Sequence, residues 1–470
     1  MCLTINFDNL LNIGKKFFYL RTLNDLSLVN VVVADDSAYL RKKIADILNK
    51  NELINIIDFA KNGEEAVDLV KKHNPDVLVL DLVMPKMNGL DAFKLIMEES
   101  PTPTLILSAI SPKNLDSSIQ ALLMGAFDYI IKPGGIGAKD LPRFREELLA
   151  KVLLASQSQI KVIFGSDKSR IKKGKSIRQD RINEIFDFGK YLNMLTPIEE
   201  IEEKQDIIDI GKTSKGKISP VSETGESGIP KSIKPKEALK SRKSTVSKTL
   251  IKAKIKKPST LKTTQIESKF TPNLTPVKSV LISSNVLVIG ASVGGPRTIT
   301  TVLKEIPRTF PAPILVVQHL SAHFTEAFAH NLDLESKLKV KVATNGEHLR
   351  SGIVYIAPGE NHMEITVHDK KPSIRIYKGK PVNFCMPSID VLFFSAARIF
   401  RNKTMGVILT GMGTDGVEGL GVIKRLGGKT IAEGAETCIL FAMPKIAAEK
   451  GYANFVLPNY EIHDQILKFI

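Results

Sequence analysis

Cysteine is scarce. The chain has three, Cys2, Cys385 and Cys438, with no paired spacing. That argues against a disulfide framework and against a thiolate metal site, and fits a reducing cytoplasm. No apolar run approaches the ~20 residues needed to span a bilayer, so the chain reads as cytoplasmic and not transmembrane. Residues 1–28 lack a signal-peptide core, because Asp8, Asn9, Asn12, Lys15 and Lys16 interrupt Phe7, Leu10, Leu11, Phe17 and Phe18. They read as an extension of unassigned role. The formal charge of +16 comes without a recognition helix, zinc-finger spacing or aromatic-interleaved strand. Residues 212–280 alone hold 17 Lys/Arg against 4 Asp/Glu. Rich in Lys, Ser, Thr and Pro, this stretch cannot bury enough apolar surface to offset chain entropy. It reads as a flexible tether that adheres weakly to acidic surfaces, not as a specific nucleic-acid binder.

What the chain does have is two stretches of alternating strand and helix patterns in 470 residues, with 43% hydrophobic content to fill their cores. The first begins at Val31-Val-Val-Ala-Asp35 and continues through Ile54 to Phe59, Asp76 to Asp81, Thr104 to Ser108 and Phe127 to Ile131. Helical spacing follows each strand. Five such units within 29–152 predict a doubly wound, parallel α/β sheet. Asp35 and Asp36 end the first strand, Asp81 the third and Ser108 the fourth, and Lys132 follows the fifth. In a parallel sheet these ends meet at one edge. Three carboxylates there repel one another unless a hard cation sits between them, and an incomplete oxygen cage suits Mg²⁺. Asp81 then reads as a nucleophile toward a phosphate donor, with Lys132 and Ser108 contacting the phosphoryl group.

Residues 29–152 resemble a response-regulator receiver domain. The resemblance rests on Val33-Ala-Asp-Asp-Ser-Ala-Tyr39, Leu80-Asp81-Leu-Val-Met-Pro85 with Gly89, Leu107-Ser108-Ala109, and Gly125-Ala-Phe-Asp-Tyr129-Ile-Ile-Lys132-Pro133. It implies that Asp81 accepts the phosphoryl group from a histidine kinase. It further implies that Asp35, Asp36, Asp81 and the Val83 carbonyl hold Mg²⁺, and that Ser108, Tyr129 and Lys132 form the switch. A cis bond at Lys132–Pro133 is also implied.

Residues 153–282 read as a largely disordered, basic linker, with a modestly amphipathic acidic piece at 180–211. The second folded region, 283–470, is again α/β and mainly parallel, with an antiparallel insertion near 353–377. Its organising stretch is Val286-Leu-Val-Ile-Gly-Ala-Ser292-Val-Gly-Gly295. A buried strand runs into a glycine-rich corner and then a helix, which leaves the serine hydroxyl at the sheet edge beside backbone N–H donors. Alone this also fits an ordinary turn or a nucleotide loop. Further strand ends carry Gln318-His319 and Gly411-Met-Gly-Thr-Asp415-Gly416. Ser, His and Asp at neighbouring ends supply a nucleophile, a base and its orienter for acyl transfer.

Rivals remain at each position. His319 and His323 have zinc-helix spacing but lack the intervening Glu. His362 is a rival base. Gly411 to Gly416 formally fits a dinucleotide fingerprint, with Glu433 ending the next strand, but Asp415 would repel a pyrophosphate.

Residues 284–470 resemble the chemotaxis protein-glutamate methylesterase catalytic domain. The matching stretches are Ile289-Gly-Ala-Ser292-Val-Gly-Gly295, Val317-Gln-His319-Leu-Ser-Ala-His-Phe-Thr325, Ile356-Ala-Pro-Gly359, His362-Met363, Pro387-Ser-Ile-Asp390, Leu409-Thr-Gly-Met-Gly-Thr-Asp415-Gly416 and Met443-Pro444. The resemblance implies Ser292 as nucleophile, His319 as base, Asp415 as orienter, and the Met412 and Val293 backbone N–H groups as oxyanion donors. Where family members often have Thr, Val293 retains only the main-chain donor. The implied substrates are glutamyl methyl esters, and by the same chemistry glutamine amides, on methyl-accepting chemotaxis receptors. Ester hydrolysis needs no cofactor. The unphosphorylated receiver is expected to cover the Ser292 cleft, and less tightly here because the linker is long. A DNA-binding regulator and a purely receptor-binding adaptor are the alternative readings.

Overall fold

The computed structural model describes residues 28–133, 141–165 and 284–469. Residues 1–27, the 180–211 piece and the basic tract lie outside them.

The first domain begins with β1 (Val29–Ala34), α1 (Ala38–Leu48), β2 (Ile54–Ala60) and α2 (Gly63–His73). It continues with β3 (Val77–Asp81), α3 (Gly89–Glu99), β4 (Thr104–Ser108), α4 (Pro112–Met124), β5 (Asp128–Ile131) and α5 (Leu141–Ala155). The helices start where the sequence supplies an oxygen for the orphan N–H groups. Ser37, Asn62, Asn88 and Ser111 each accept from the backbone three residues on. The parallel sheet runs β2-β1-β3-β4-β5, so the winding of the chain across the sheet switches sides between β1 and β3 while the strands stay parallel. Asp35 and Asp81 stand at that switch point, where an open α/β sheet forms its crevice.

A short helix, α6 (Ile160–Phe164), follows α5 inside the segment the sequence assigns to the linker. Five residues are too few to show a helical period. The Lys132–Pro133 bond is not cis; among the described residues the cis bond is Met386–Pro387.

The second domain opens with β6 (Val286–Ala291), whose six residues are all buried, and α7 (Gly295–Leu303). Next come β7 (Ile314–Gln318), α8 (Ala322–Glu335), β8 (Lys339–Val342), β9 (Ile353–Ile356) and the hairpin β10 (His362–His368) and β11 (Lys371–Tyr377). The domain closes with α9 (Ile389–Phe400), β12 (Thr404–Ile408), α10 (Val417–Arg425), β13 (Lys429–Glu433), α11 (Met443–Glu449), β14 (Phe455–Leu457) and α12 (Asn459–Phe469). Seven strands form a parallel sheet ordered β14-β13-β12-β6-β7-β9-β8. The antiparallel part is confined to β10 and β11, and β9 belongs to the main sheet. The chain enters at β6, winds outward through β7, and returns to β12 on β6's other side. The reversal puts the carboxyl ends of β6, β7 and β12 around one crevice.

The two domains meet along α4, which packs on α7 and α8. Asn331 donates to Asp116 across this contact at 2.8 Å. No helix among the described residues is long and apolar enough to cross a membrane.

Candidate functional site

The corner after β6 is held from below and from both sides. Ser292 N–H donates to Thr410 O at 3.0 Å, and Gln318 Nε2 donates to Ser292 O at 2.8 Å. Gly294 takes a φ of 76°, a region costly for residues with a Cβ, and Gly411 packs directly on Ser292. Among the described residues, the N–H groups of Val293 and Met412 have no hydrogen-bond acceptor. His319 lies on the neighbouring strand end, where its N–H donates to Ala291 O at 3.1 Å. Its ring meets Asp415: Nε2 and Oδ2 are 2.9 Å apart. The Ser292 hydroxyl makes no hydrogen bond to the ring among the described residues. Nδ1 instead faces Cys385 Sγ at 3.7 Å.

Asp415 is buried, yet it stays ionised. Burial raises its pKa, but the His319 ring, Asn383 Nδ2, Ser388 Oγ and the N–H groups of Ile389 and Asp390 together take it below 3.8. Two of those donors belong to the first turn of α9, so the positive end of that helix adds its dipole. An ionised Asp415 requires a proton on His319 Nε2, which leaves Nδ1 as the basic nitrogen. Burial disfavours the imidazolium, but Cys385 and Asp415 outweigh it and push the ring up to about 10. The Cys385 thiol is itself raised above 9.0 by burial, so near neutral pH it is uncharged, its share of that rise is absent, and Asp415 is the one anion in contact with the ring among the described residues; His319 acts as a base in the form whose single ring proton is on Nε2. The second buried carboxyl, Asp390, moves the other way. Burial, and then repulsion from Asp415, lift it from 3.8 to about 8. Asn383 Nδ2 donates to both acids, at 2.6 Å to Asp390 and 3.1 Å to Asp415.

The rival readings fail on geometry. His323 is exposed in the first turn of α8 while His319 precedes that helix, so the two share no helix face. His362 is occupied on both nitrogens: Nδ1 accepts from Ser388 N–H at 3.3 Å, and Nε2 lies 2.9 Å from Lys380 O. Burial holds its pKa below 6.5, so it is a neutral brace for the 380–388 loop. Glu433 spends its oxygens on Thr410 N–H and Thr437 Oγ1 and has none for a ribose. Cys385 and Asn383 had no motif to announce them, whereas Gln318 stood beside His319 at its strand end without an assigned role. Cys385 and Asn383 arrive through a loop far in sequence from their partners.

In the first domain, Asp35, Asp36 and Asp81 bring carboxylate oxygens within 4.8 Å of one another. This all-oxygen, partly solvated set fits Mg²⁺. Lys132 Nζ binds Asp35 at 2.8 Å and Asp81 at 2.7 Å. Burial raises the Asp81 pKa against the opposing charge of Lys132. Val83 N–H donates to Asp81 at 3.1 Å. Ser108 Oγ accepts from Ser118 Oγ at 2.9 Å. Tyr129 turns away from this centre and into the other domain. Its hydroxyl donates to Ser321 Oγ at 3.3 Å and accepts from Ser321 N–H at 3.2 Å, and its ring lies 3.8 Å from that of Phe324. Ser321 is two residues beyond His319. Val293 and Met412 pack in one apolar cluster with Ile439, Leu440 and, from α5 and α6, Leu154, Ala155 and Ile160. Gln159 N–H donates to Ile439 O at 3.0 Å.

Two family models match the chain: a response regulator receiver domain over residues 31–139 and CheB methylesterase over residues 287–466. A protein-glutamate methylesterase/protein-glutamine glutaminase of Thermotoga maritima is 30% identical over 94% of this chain and 99% of its own length. The counterpart of Archaeoglobus fulgidus is 32% identical over 94% of this chain and 98% of its own. The crystal structure of the Thermotoga maritima CheB methylesterase catalytic domain is 43% identical, covering 40% of this chain and 100% of that one, with a TM-score of 0.40. With a receiver ahead of a methylesterase domain on one polypeptide, this chain belongs to the family of protein-glutamate methylesterases/protein-glutamine glutaminases, which are hydrolases.

Proposed function

We propose that the chain hydrolyses γ-glutamyl methyl esters on chemoreceptors, releasing methanol, and is switched on by phosphorylation of its receiver. The observation that carries the reading is the 2.9 Å His319–Asp415 pair on the sheet margin that also bears Ser292. Ser292 Oγ attacks the ester carbonyl while His319 Nδ1 takes its proton. Asp415 keeps the ring in the productive tautomer and balances the imidazolium. The Val293 and Met412 N–H groups receive the oxyanion. His319 then protonates departing methanol, and water releases the glutamate by the same route. A glutamine amide follows an identical path with ammonia as leaving group. For the first step His319 must exchange its Cys385 contact for the Ser292 hydroxyl.

Asp35, Asp36, Asp81 and the Val83 carbonyl are the groups to hold Mg²⁺, which would offset the charge gathered when Asp81 accepts a phosphoryl group from a histidine kinase. Lys132 is placed to leave Asp35 and Asp81 for that group. Tyr129 then gives up Ser321 as the switch rearranges, α4 loosens from α7 and α8, and the lid formed by α5 and α6 leaves Val293 and Met412. This is a shift between two packings of the domains. The protein would work in the cytoplasm, with methyl-accepting receptors and a chemotaxis kinase as partners. The reading is tested by methanol release from methylated receptors. Release that depends on Ser292 supports it, and release unchanged in Ser292→Ala removes the serine mechanism.

A further inference from the structure

The loop between β11 and α9 delivers Cys385 to the His319 ring. Asn383 and Phe384 just before it adopt φ of 51° and 62°. Cys385 is half-buried, and its Sγ stands 3.7 Å from Nδ1, the one ring nitrogen Asp415 leaves free. A sulfur and an imidazole nitrogen bound tetrahedrally to one zinc ion, at ~2.3 and ~2.0 Å, lie about 3.5 Å apart. Cys385 and His319 therefore stand close to the spacing of a bridged pair. His319, Cys385 and Asp415 bring donor atoms within 4.8 Å of one another. Asp415 is not a third ligand, because five donors already occupy its oxygens. Its place is behind the ring, on Nε2–H, where a carboxylate orients a metal-bound histidine and raises its basicity.

We propose that Cys385 Sγ and His319 Nδ1 form a binding site for a thiophilic divalent cation of the zinc class, and that the bound ion silences the enzyme by occupying the nitrogen that must take the Ser292 proton. Binding displaces to solvent the thiol proton and, from an imidazolium, the Nδ1 proton as well; water fills the remaining coordination positions, and nothing is oxidised. The receiver carboxylates offer oxygen alone and favour the harder Mg²⁺, so the two sites separate by ligand softness. Cysteine spacing could not reveal the pair, since the partner of Cys385 is a histidine 66 residues away.

The inhibition part of the proposal rests on the esterase reading; the binding part does not. The test uses the full chain carrying Cys2→Ser, with Mg²⁺ in large excess to saturate the receiver. Zn²⁺ is titrated against a chromogenic chelator, and in parallel against modification of Cys385 by a chromogenic disulfide reagent. Methanol release is followed in the same buffers, each variant normalised to its own metal-free rate. The expected result is one zinc equivalent that shields the thiol and inhibits release, with affinity reduced by more than about tenfold in Cys385→Ser. Zinc that binds and inhibits equally with and without the thiol, or leaves Cys385 as reactive as before, would overturn the proposal. Should no chain release methanol, the chelator and thiol titrations still decide whether the site exists, so failure of the esterase reading stays distinguishable.

Discussion

A carboxylate sealed from water keeps its charge only if donors replace the water it has lost. Asp415 has five such donors; Asp390, with Gly419 N–H and Asn383, has fewer, so the proton of the pair rests on Asp390. Replacing Asp415 by Asn should lower kcat by roughly 10⁴. It should also move the basic nitrogen's titration down toward 6.5, because the anion that favours the imidazolium is gone; pH–rate profiles of both proteins read this shift. Ser292→Ala should cost roughly a million-fold in kcat, with the circular dichroism spectrum unchanged. Asp390 also leaves a mark on stability. Native Asp390 keeps its proton up to about 8 while the unfolded carboxyl loses it near 3.8, so the native state binds more protons across that interval. Stability should therefore fall as pH rises through it. Asp390→Asn should flatten that fall, as read from urea midpoints at pH 5 and 8. Equal slopes would mean that Asp390 is ionised throughout. Ser292, His319, Asp415 and Asp81 were legible because parallel strands place their ends at one edge. Asn383 and Cys385 were not, because a loop with two left-handed residues has no periodicity to read.

The elements that join the domains share apolar clusters, and polar contacts punctuate them at Tyr129–Ser321 and Asp116–Asn331. Tyr129 reaches across to Ser321, at the start of α8 and two residues from His319. Tyr129→Phe removes a hydroxyl that both donates and accepts but keeps the ring on Phe324. A typical hydrogen bond contributes ~1 kcal/mol, so with two lost the unphosphorylated rate should rise by up to roughly thirtyfold, with a smaller further gain from a phosphodonor. An unchanged basal rate would place the latch elsewhere. Asp116→Ala, which frees Asn331, should act in the same direction. At this scale the sequence was generous. The central strands β3, β4, β6, β7 and β12 showed as apolar runs, since parallel strands buried on both faces admit few polar residues, while the edge strands β2, β8 and β14 are only partly buried. The brief α6 escaped because its role is to cover a neighbour, and that neighbour lies in the other domain.

Over the whole molecule, a receiver and an esterase share one chain across a tract that the sequence reads as a tether. Lengthening a flexible tether lowers the effective concentration of one domain at the other, but each doubling costs only about 0.6 kcal/mol. On the proposed reading such a tether would weaken the cover only modestly, leaving the packing of α4 on α7 and α8 to hold it. Residues 283–470 expressed alone should outpace the unphosphorylated full chain, and the full chain should approach that rate when phosphorylated. The most direct measurement is methanol release from methylated receptors by the full chain and by its Ser292→Ala and Asp81→Asn variants, with and without a small-molecule phosphodonor and Mg²⁺. The account predicts release that the phosphodonor stimulates in the unsubstituted chain, stimulation lost in Asp81→Asn, and no release from Ser292→Ala. Undiminished release without the Ser292 hydroxyl would contradict it.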